Sequence, residues 1–478
     1  MKNYIIILSL ILSFGILNAQ NSKNHKNNKQ HNVLNYKDIK TSLYRKAPYL
    51  LYPGNNTEML IEWQMTETKT CEIVWGQDTT YADGQAFTTE HEDHQHEKLI
   101  SNLSPATHYF YQVNYENIEP KKGDFYTGAL DTETKFSFYA YGDTRSHPDK
   151  HDEVAAEIMT DISQHPESQS IIISTGDIVT NGDQEQDWDS QFFSPAYPNI
   201  QQMLSHLPYI TAVGNHEGQG VLFDKYFPYP MFSTDRFYYG FDYANVHFTV
   251  IDQFTDYTPG SIQYNWIVND LASTDKTWKM IILHMPGWSA GGEHRNNPDV
   301  QDYIQPLCLQ YGVSFVLTGH NHYYSRANVD GVMHITTGGG GAPLYDPNIN
   351  APYIVMVDKS THYCKIDINQ NSLEFTARRS NGSIIESFNY DLNLSKTHEI
   401  EQSEFAKHFH IYYQHGKVYI NNIDHLDAQF SIYDNWGKSL KENNKLDSQK
   451  SISVRVPGIY YIKINTAKNQ FVKKLIVP

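Results

Sequence analysis

Two different hydrophobic rhythms divide this chain. Between about Ala47 and Gly128, apolar and polar positions alternate in short segments such as MLIEWQM and CEIVWG. Pro53-Gly54 and Asp83-Gly84 punctuate them, and LSPATHYFYQV leads into a long aromatic strand. Period-two alternation between turn signals predicts half-buried strands, and short strands at this spacing predict a β-sandwich of roughly 80 residues. From about Lys135 to Tyr390 the apolar runs become continuous: FSFYAYG, SIIISTG, LPYITAVG, HFTVID, KMIILH and VSFVLTG. Each closes on Gly, Asp or His, and helix-like segments such as DEVAAEIMTDI and SIQYNWIVNDL lie between several of them. Strands buried on both faces and alternating with helices predict α/β layers. The last 80 or so residues return to a β pattern, in HIYYQHGKVYINN, FSIYDNWGKSL and SISVRVPGIYYIKINTAKNQFVKKLIVP.

The N-terminus follows neither rhythm. Lys2, an apolar core from Tyr4 to Leu17 and the small residue Ala19 read as a secretory signal cut before Gln20. The apolar core is too short to span a bilayer, and no later stretch reaches that length. Residues 20–44 are polar and read as a flexible leader, in which His25 and His31 carry no assigned role. The expected organisation is a signal peptide at 1–19, the leader at 20–44, a sandwich at 45–129, an α/β catalytic unit at 130–392 built as a central β-sandwich flanked by helices, and a small C-terminal β-sandwich at 400–478.

Composition narrows the function. The formal charge of −17 over 478 residues disfavours nucleic acid, and it disfavours polyanionic substrates unless the site supplies its own positive charge. Cys71, Cys308 and Cys364 show no CxxC spacing and read as buried free thiols, with one disulfide left open.

The chemistry is concentrated at strand ends. YGDTR places Asp143 after one apolar run and STGDIVTNG places Asp177 after the next. VGNHE adds Asn215, His216 and Glu217, IILHMP adds His284, and TGHNHYYSR adds His320 and His322. Alternate residues of an extended segment project the same way, so His320 and His322 are expected to emerge together from a sheet edge. Two carboxylates, an amide oxygen and three imidazoles suit a pair of adjacent metal ions. The His91, His94 and His96 group falls in the first sandwich and reads as a surface loop. Gly338–Gly341 lacks the lysine and helix of a P-loop and reads as a tight turn near the metal edge.

The ordered set GD, GD, GNHE, H and GHxH resembles the calcineurin-like metallophosphoesterases. Flanks such as FYYGFDYANVHFTVIDQ resemble the purple acid phosphatase branch. Trp63, Trp75 and NLSPATHYFYQV resemble the fibronectin type III-like domain that precedes the catalytic domain in that branch. The resemblance implies one metal on Asp143, Asp177 and His322, and a second on Asn215, His284 and His320, with Asp177 as bridge. It places His216 beside the phosphate as proton donor or charge stabiliser, and Glu217 as an orienting residue.

Two departures matter. The branch has GDxxY, where the tyrosinate holds ferric iron; here Thr180 stands in that place. Other family members carry a histidine two residues after the first aspartate; here it is Arg145. No purple colour is expected, and a divalent pair (zinc, manganese or iron) is expected instead of a ferric site. Solvent or His147 completes the first metal, or that position binds weakly. Arg145 either grips phosphate with two hydrogen bonds or forms a structural ion pair. Arg326 reads as a supporting residue.

DNWG at Asp434–Gly437, Pro457–Tyr460 and the closing KKLIV resemble the C-terminal sorting domain of proteins exported by the type IX secretion system of Gram-negative bacteria. The expectation is therefore a secreted or cell-surface phosphomonoesterase acting on a phosphorylated small molecule by attack of a metal-held hydroxide. The alternatives are a phosphodiesterase or nucleotide hydrolase on the same core, and a surface binding protein with a degenerate site. The segments 183–198 and 288–298 are expected to set specificity.

Overall fold

The computed structural model describes residues 43–392 and 405–477, apart from residues 117, 235, 415, 416, 435–437, 455, 457 and 469. The expected signal peptide, nearly all of the leader with His25 and His31, Asn435–Gly437 of DNWG, and Pro457 lie outside the described residues. No described helix is long and apolar enough to cross a membrane.

Seven strands form the first sandwich: β1 (Tyr44–Leu51), β2 (Met59–Met65), β3 (Cys71–Gly76), β4 (Gly84–Thr88), β5 (Gln95–Ile100), β6 (His108–Asn114) and β7 (Lys121–Tyr126). One sheet runs β4-β3-β6-β7, and β1, β2 and β5 lie opposite it. Leu50, Ile61, Trp63, Ile73, Tyr111, Val113 and Phe125 fill the space between.

Thirteen further strands follow: β8 (Lys135–Tyr141), β9 (Ile172–Ser174), β10 (Tyr209–Thr211), β11 (Tyr239–Tyr243), β12 (Val246–Val250), β13 (Trp278–Ile282), β14 (Phe315–Thr318), β15 (Tyr324–Val329), β16 (Val332–Thr337), β17 (Ile354–Asp358), β18 (His362–Asn369), β19 (Ser372–Arg379) and β20 (Ile384–Asp391). They make two sheets. One is nine-stranded, β20-β19-β18-β8-β9-β10-β1-β2-β5, and the other is β11-β12-β13-β14-β16-β15-β17. Inner faces meet across residues such as Phe138 and Phe248, whose rings stand edge to face at 5.4 Å. Helices Pro148–Gln164 and Pro198–His206 pack Val154, Ile158, Ile200 and Met203 into this central cluster. Helices Ile262–Ser273 and Gln305–Tyr311 pack Ile267, Leu271 and Leu307 against Ile281, Leu283 and Val316 of the second sheet.

The nine-stranded sheet crosses the boundary expected at 129/130. β1 pairs parallel with β10, with Leu51 opposite Tyr209. The uninterrupted apolar run Tyr49–Tyr52 gives the reason. Tyr49 and Leu51 face the central core, whereas Leu50 faces the core of the first sandwich. A strand with two apolar faces must be covered on both.

β8-β9-β10 and β12-β13-β14-β16 are parallel runs. Their carboxyl ends therefore lie together at one edge. Near the other end of the chain, two small sheets enclose a separate core that includes Ile411, Ile420, Phe430, Ile432 and Ile462.

Candidate metal centre

The strand ends converge, but from both sheets. Asp143, Asp177 and Asn215 follow β8, β9 and β10 of the nine-stranded sheet, and His284, His320 and His322 follow β13 and β14 of the second. The extended alternation expected for His320 and His322 does not occur. β14 stops at Thr318, His320 has φ of 66°, and backbone N–H groups of Asn321 and Tyr323 donate two residues back along successive tight turns. Asn321 turns inward and donates to the Ser289 hydroxyl at 2.9 Å.

Asp143 and Asp177 share the left-handed backbone of His320, with φ of 56° and 57°. Such conformations cost an ordinary residue of order 1 kcal/mol and persist only where surrounding contacts hold them. The glycine before each turn makes the approach possible. A Cβ on Gly142 would lie 1.9 Å from Thr175 Oγ1, and one on Gly319 would lie 2.3 Å from Asp143 Oδ2. The Gly338–Gly341 turn backs the same loop, as expected: Gly340 N–H donates to the Gly142 carbonyl at 2.8 Å and Ala342 N–H to that of Asp143 at 2.8 Å.

Ligand atoms of Asp143, Asp177 and His322 all lie within 4.8 Å of one another, and all three residues are buried. His322 Nδ1 donates to the Pro343 carbonyl at 2.7 Å, so its Nε2 lone pair faces Asp143 Oδ1 at 3.4 Å. His284 repeats the device. Its Nδ1 donates to the Thr175 carbonyl at 2.8 Å, and Nε2 faces Asn215 Oδ1 at 3.0 Å and Asp177 Oδ1 at 3.3 Å. A lone pair aimed at two oxygens requires a proton or a cation between them. Burial works to lower the His284 pKa; the Asp177 carboxylate overcomes this and pushes it up to about 9. Burial works against ionisation of Asp177, yet His284 and His216 hold it well below the usual carboxylate range. These donors fit a metal between Asp177, Asn215 and His284, with the His320 ring 5.0 Å from that of His284. Burial, with His284 and His294 nearby, lowers His320 to about 3, which leaves it a neutral donor.

Around this cluster the remaining predicted residues take distinct places. His216 is partly exposed; Nδ1 donates to the Thr180 carbonyl at 2.6 Å and Nε2 lies 3.8 Å from Asp177 Oδ2. Glu217 is fully buried and accepts from the N–H groups of Asp177, Gly214 and Ile178 at 3.0, 2.6 and 2.8 Å. Burial and the Asp177 charge push Glu217 up to about 7. His147 is exposed at the head of a helix; the side chain that enters the cluster is that of Arg145, whose Nη2 donates to His322 Nε2 at 3.3 Å. Thr180 Oγ1 contacts Ser146 Oγ at 3.1 Å and Gln191 Oε1 at 3.0 Å.

Sequence reasoning missed His294 and Gln191. The His294 ring stacks on His320 at 4.0 Å, from within the 288–298 segment. Gln191 Oε1 accepts from Ser146 N at 2.9 Å and Thr180 N at 3.0 Å, tying the two aspartate turns together. It lies in the 183–198 segment, which is a pair of short helical turns around fully buried Trp188. Only the polarity of these segments was visible in one dimension. Arg326 makes paired hydrogen bonds to Glu386 at 2.9 and 2.8 Å. His96 departs from the surface-loop expectation: it is buried in β5 and stacks on Trp63 at 5.2 Å. All three cysteines are free and buried.

Purple acid phosphatase 18 of Arabidopsis thaliana is 31% identical over 165 residues, which is 30% of this chain and 38% of that protein. Purple acid phosphatase 23 of the same plant is 26% identical over 294 residues, 52% of this chain and 62% of the relative. The chain thus spans less than two thirds of these curated relatives. Among solved structures, a purple acid phosphatase from yellow lupin (Lupinus luteus) seeds superposes with a TM-score of 0.61 at 20% identity, covering 72% of this chain and 74% of the other. PhoD superposes at 0.58 and 13% identity, covering 73% and 91%. At these identities the superpositions report the fold alone. Residues 136–324 match the calcineurin-like phosphoesterase model and residues 406–478 the secretion system C-terminal sorting domain model. This chain therefore carries a calcineurin-like phosphoesterase domain, with purple acid phosphatases among its relatives, together with a secretion-system sorting domain.

Proposed function

We propose that this chain is an exported, metal-dependent phosphomonoesterase. The observation that carries the reading is the position of Asp177, with Oδ1 beside His284 and Oδ2 beside Arg145 and His216. One carboxylate is thereby shared between an Asp143–His322 end and an Asn215–His284–His320 end, the arrangement of a two-position centre for zinc, manganese or iron. Divalent metal bound there would acidify water and neutralise phosphoryl oxygens.

The chain's own groups supply the rest. His216 has spent Nδ1–H on the Thr180 carbonyl, so its Nε2 is the atom that delivers a proton to a departing oxygen. Its partial exposure suits a group that meets substrate. Glu217 holds the Asp177 and Asn215 turns in register through three backbone N–H groups. Arg145 directs Nε at Asp177, Nη1 at Ser146 and Nη2 at His322, so its charge offsets the acidic chain from inside the cluster. Thr180 places no phenolate in the centre, so no purple colour is expected.

The first sandwich is read as the fibronectin type III-like unit at 45–129, and the catalytic unit as 130–392. The sorting domain at 400–478 would direct the chain through type IX machinery to the surface or beyond. The test is turnover of a chromogenic phosphomonoester and its diester by metal-stripped protein after addition of zinc, manganese or iron. Metal-dependent monoester turnover supports the proposal. Preference for the diester reassigns the chain to phosphodiesterases, and no turnover with any metal favours a binding protein.

A further inference from the structure

Arg145 occupies the place where a metal ligand is expected, yet a guanidinium cannot ligate a cation. Its side chain is only 12% exposed, and three of its donors are spent on protein. Nε donates to Asp177 Oδ2 at 3.4 Å, Nη1 to Ser146 Oγ at 3.2 Å, and Nη2 to His322 Nε2 at 3.3 Å. The Tyr345 ring stacks on the His322 ring at 4.1 Å. Two members of the Asp143–Asp177–His322 group are thus already satisfied by a fixed positive charge. His322 makes the point most sharply. Its Nδ1–H is donated to the Pro343 carbonyl, so Nε2 has one lone pair, and Arg145 donates to it. That lone pair serves either the guanidinium or a metal.

The other end shows no such occupant. His284 Nε2 faces the oxygens of Asn215 and Asp177, and among the described residues no guanidinium donates to it. Charge counting points the same way. Asp143 and Asp177 bring two negative charges and Arg145 one positive. One divalent ion leaves the group at +1, whereas two would leave it at +3 beside the buried Asp143, Asp177, His284 and His322, where low local dielectric disfavours it.

We propose that Arg145 stands in for one of the two metals, so that this chain holds a single tightly bound divalent ion on Asp177, Asn215, His284 and His320. The inference rests on the metal-centre reading given above. It assigns to the missing phenolate at Thr180 and the missing imidazole at Arg145 one common cause: the Asp143–His322 position has exchanged a metal for a side-chain cation.

The test is metal stoichiometry on the full chain. Protein stripped by chelator is titrated with Zn²⁺ or Mn²⁺ by calorimetry, and bound metal is counted after gel filtration. Wild type is expected to retain one equivalent. Arg145→His, which removes the charge and adds a donor, is expected to retain two, with a spin-coupled pair in the Mn²⁺ resonance spectrum. Arg145→Met removes the charge without adding a donor. It is expected to bind a second ion more weakly than Arg145→His, and it serves in its place if that variant does not fold. Two tight equivalents in wild type would overturn the inference and leave the phosphatase reading standing. One equivalent in wild type and both variants would also overturn it, because Arg145 would not be what limits occupancy. No tight ion in any of them would overturn the metal-centre reading itself.

Discussion

Lys46 is a fully buried ammonium in β1, and replacing it by methionine tests how the first sandwich supports the site. Its Nζ donates to Gln64 at 2.6 Å, Glu185 at 2.8 Å and Asp189 at 2.7 Å, and sits 4.5 Å over the Tyr226 ring. Burial lowers its pKa, with both carboxylates opposing. Breaking a buried ion pair from one side costs about 3–5 kcal/mol, because the partner charge stays behind. Here the lower end applies. Glu185 and Asp189 are each 27% exposed, and Arg45 still contacts them at 3.1 and 2.8 Å. Methionine keeps the apolar length against Phe193 and Tyr226, so the lost packing is small. The expected loss is about 3 kcal/mol, equivalent to a fall in Tm of roughly 4–6 °C for a unit of this size. The effect should reach the centre. Glu185 and Asp189 lie in the turns that present Gln191, whose carboxamide oxygen joins the Ser146 and Thr180 backbones. Scanning calorimetry and metal titration on the Lys46→Met variant, with an Asp189→Asn double-mutant cycle, measure both. A Tm within 2 °C of wild type, or a coupling energy near zero, would refute the claim that this buried cluster holds the segment in place.

Three further outcomes are expected. Glu217→Ala orphans three buried backbone N–H groups, each worth about 1–3 kcal/mol, so Tm should fall by more than about 6 °C and metal affinity should weaken; unchanged thermal unfolding would contradict this. Asp177→Asn should lower kcat/KM for a phosphomonoester by more than about 100-fold with loss of bound metal, and retention of full activity would sink the shared-ligand assignment. His247 lies 2.7 Å from Asp242 and 2.9 Å from Asp270. Burial works to lower its pKa, but the two carboxylates push it up to about 9. A folded pKa above the unfolded value of about 6.5 means that the stabilisation is full below that value and is lost as pH rises through about 9. Wild-type Tm should therefore fall between pH 7 and pH 9.5, with His247 contributing no more than roughly 3 kcal/mol of stability, and the fall should be smaller in His247→Gln.

Local sequence determined much of this protein. Continuous apolar runs ending in Gly-Asp, Gly-Asn-His-Glu or Gly-His specified both a buried parallel strand and the residue delivered at its end. Each pairing is a property of adjacent residues, so Asp143, Asp177, Asn215, His284, His320 and His322 could be named as candidates before any fold was known. The tertiary structure decided what lies between those positions. It set these candidate donors on two sheets, because β8–β10 and β12–β14 pack face to face with parallel runs ending at a common edge. It joined β1 to β10, because the two apolar faces of Tyr49–Tyr52 needed two cores. It buried His96 against Trp63 and brought His294 onto His320 from a polar segment that carried no periodic signal. It also turned Arg145 inward onto Asp177 and His322. A side chain's direction depends on which hydrogen-bond acceptors the fold sets around it, and those acceptors come from segments up to 177 residues away.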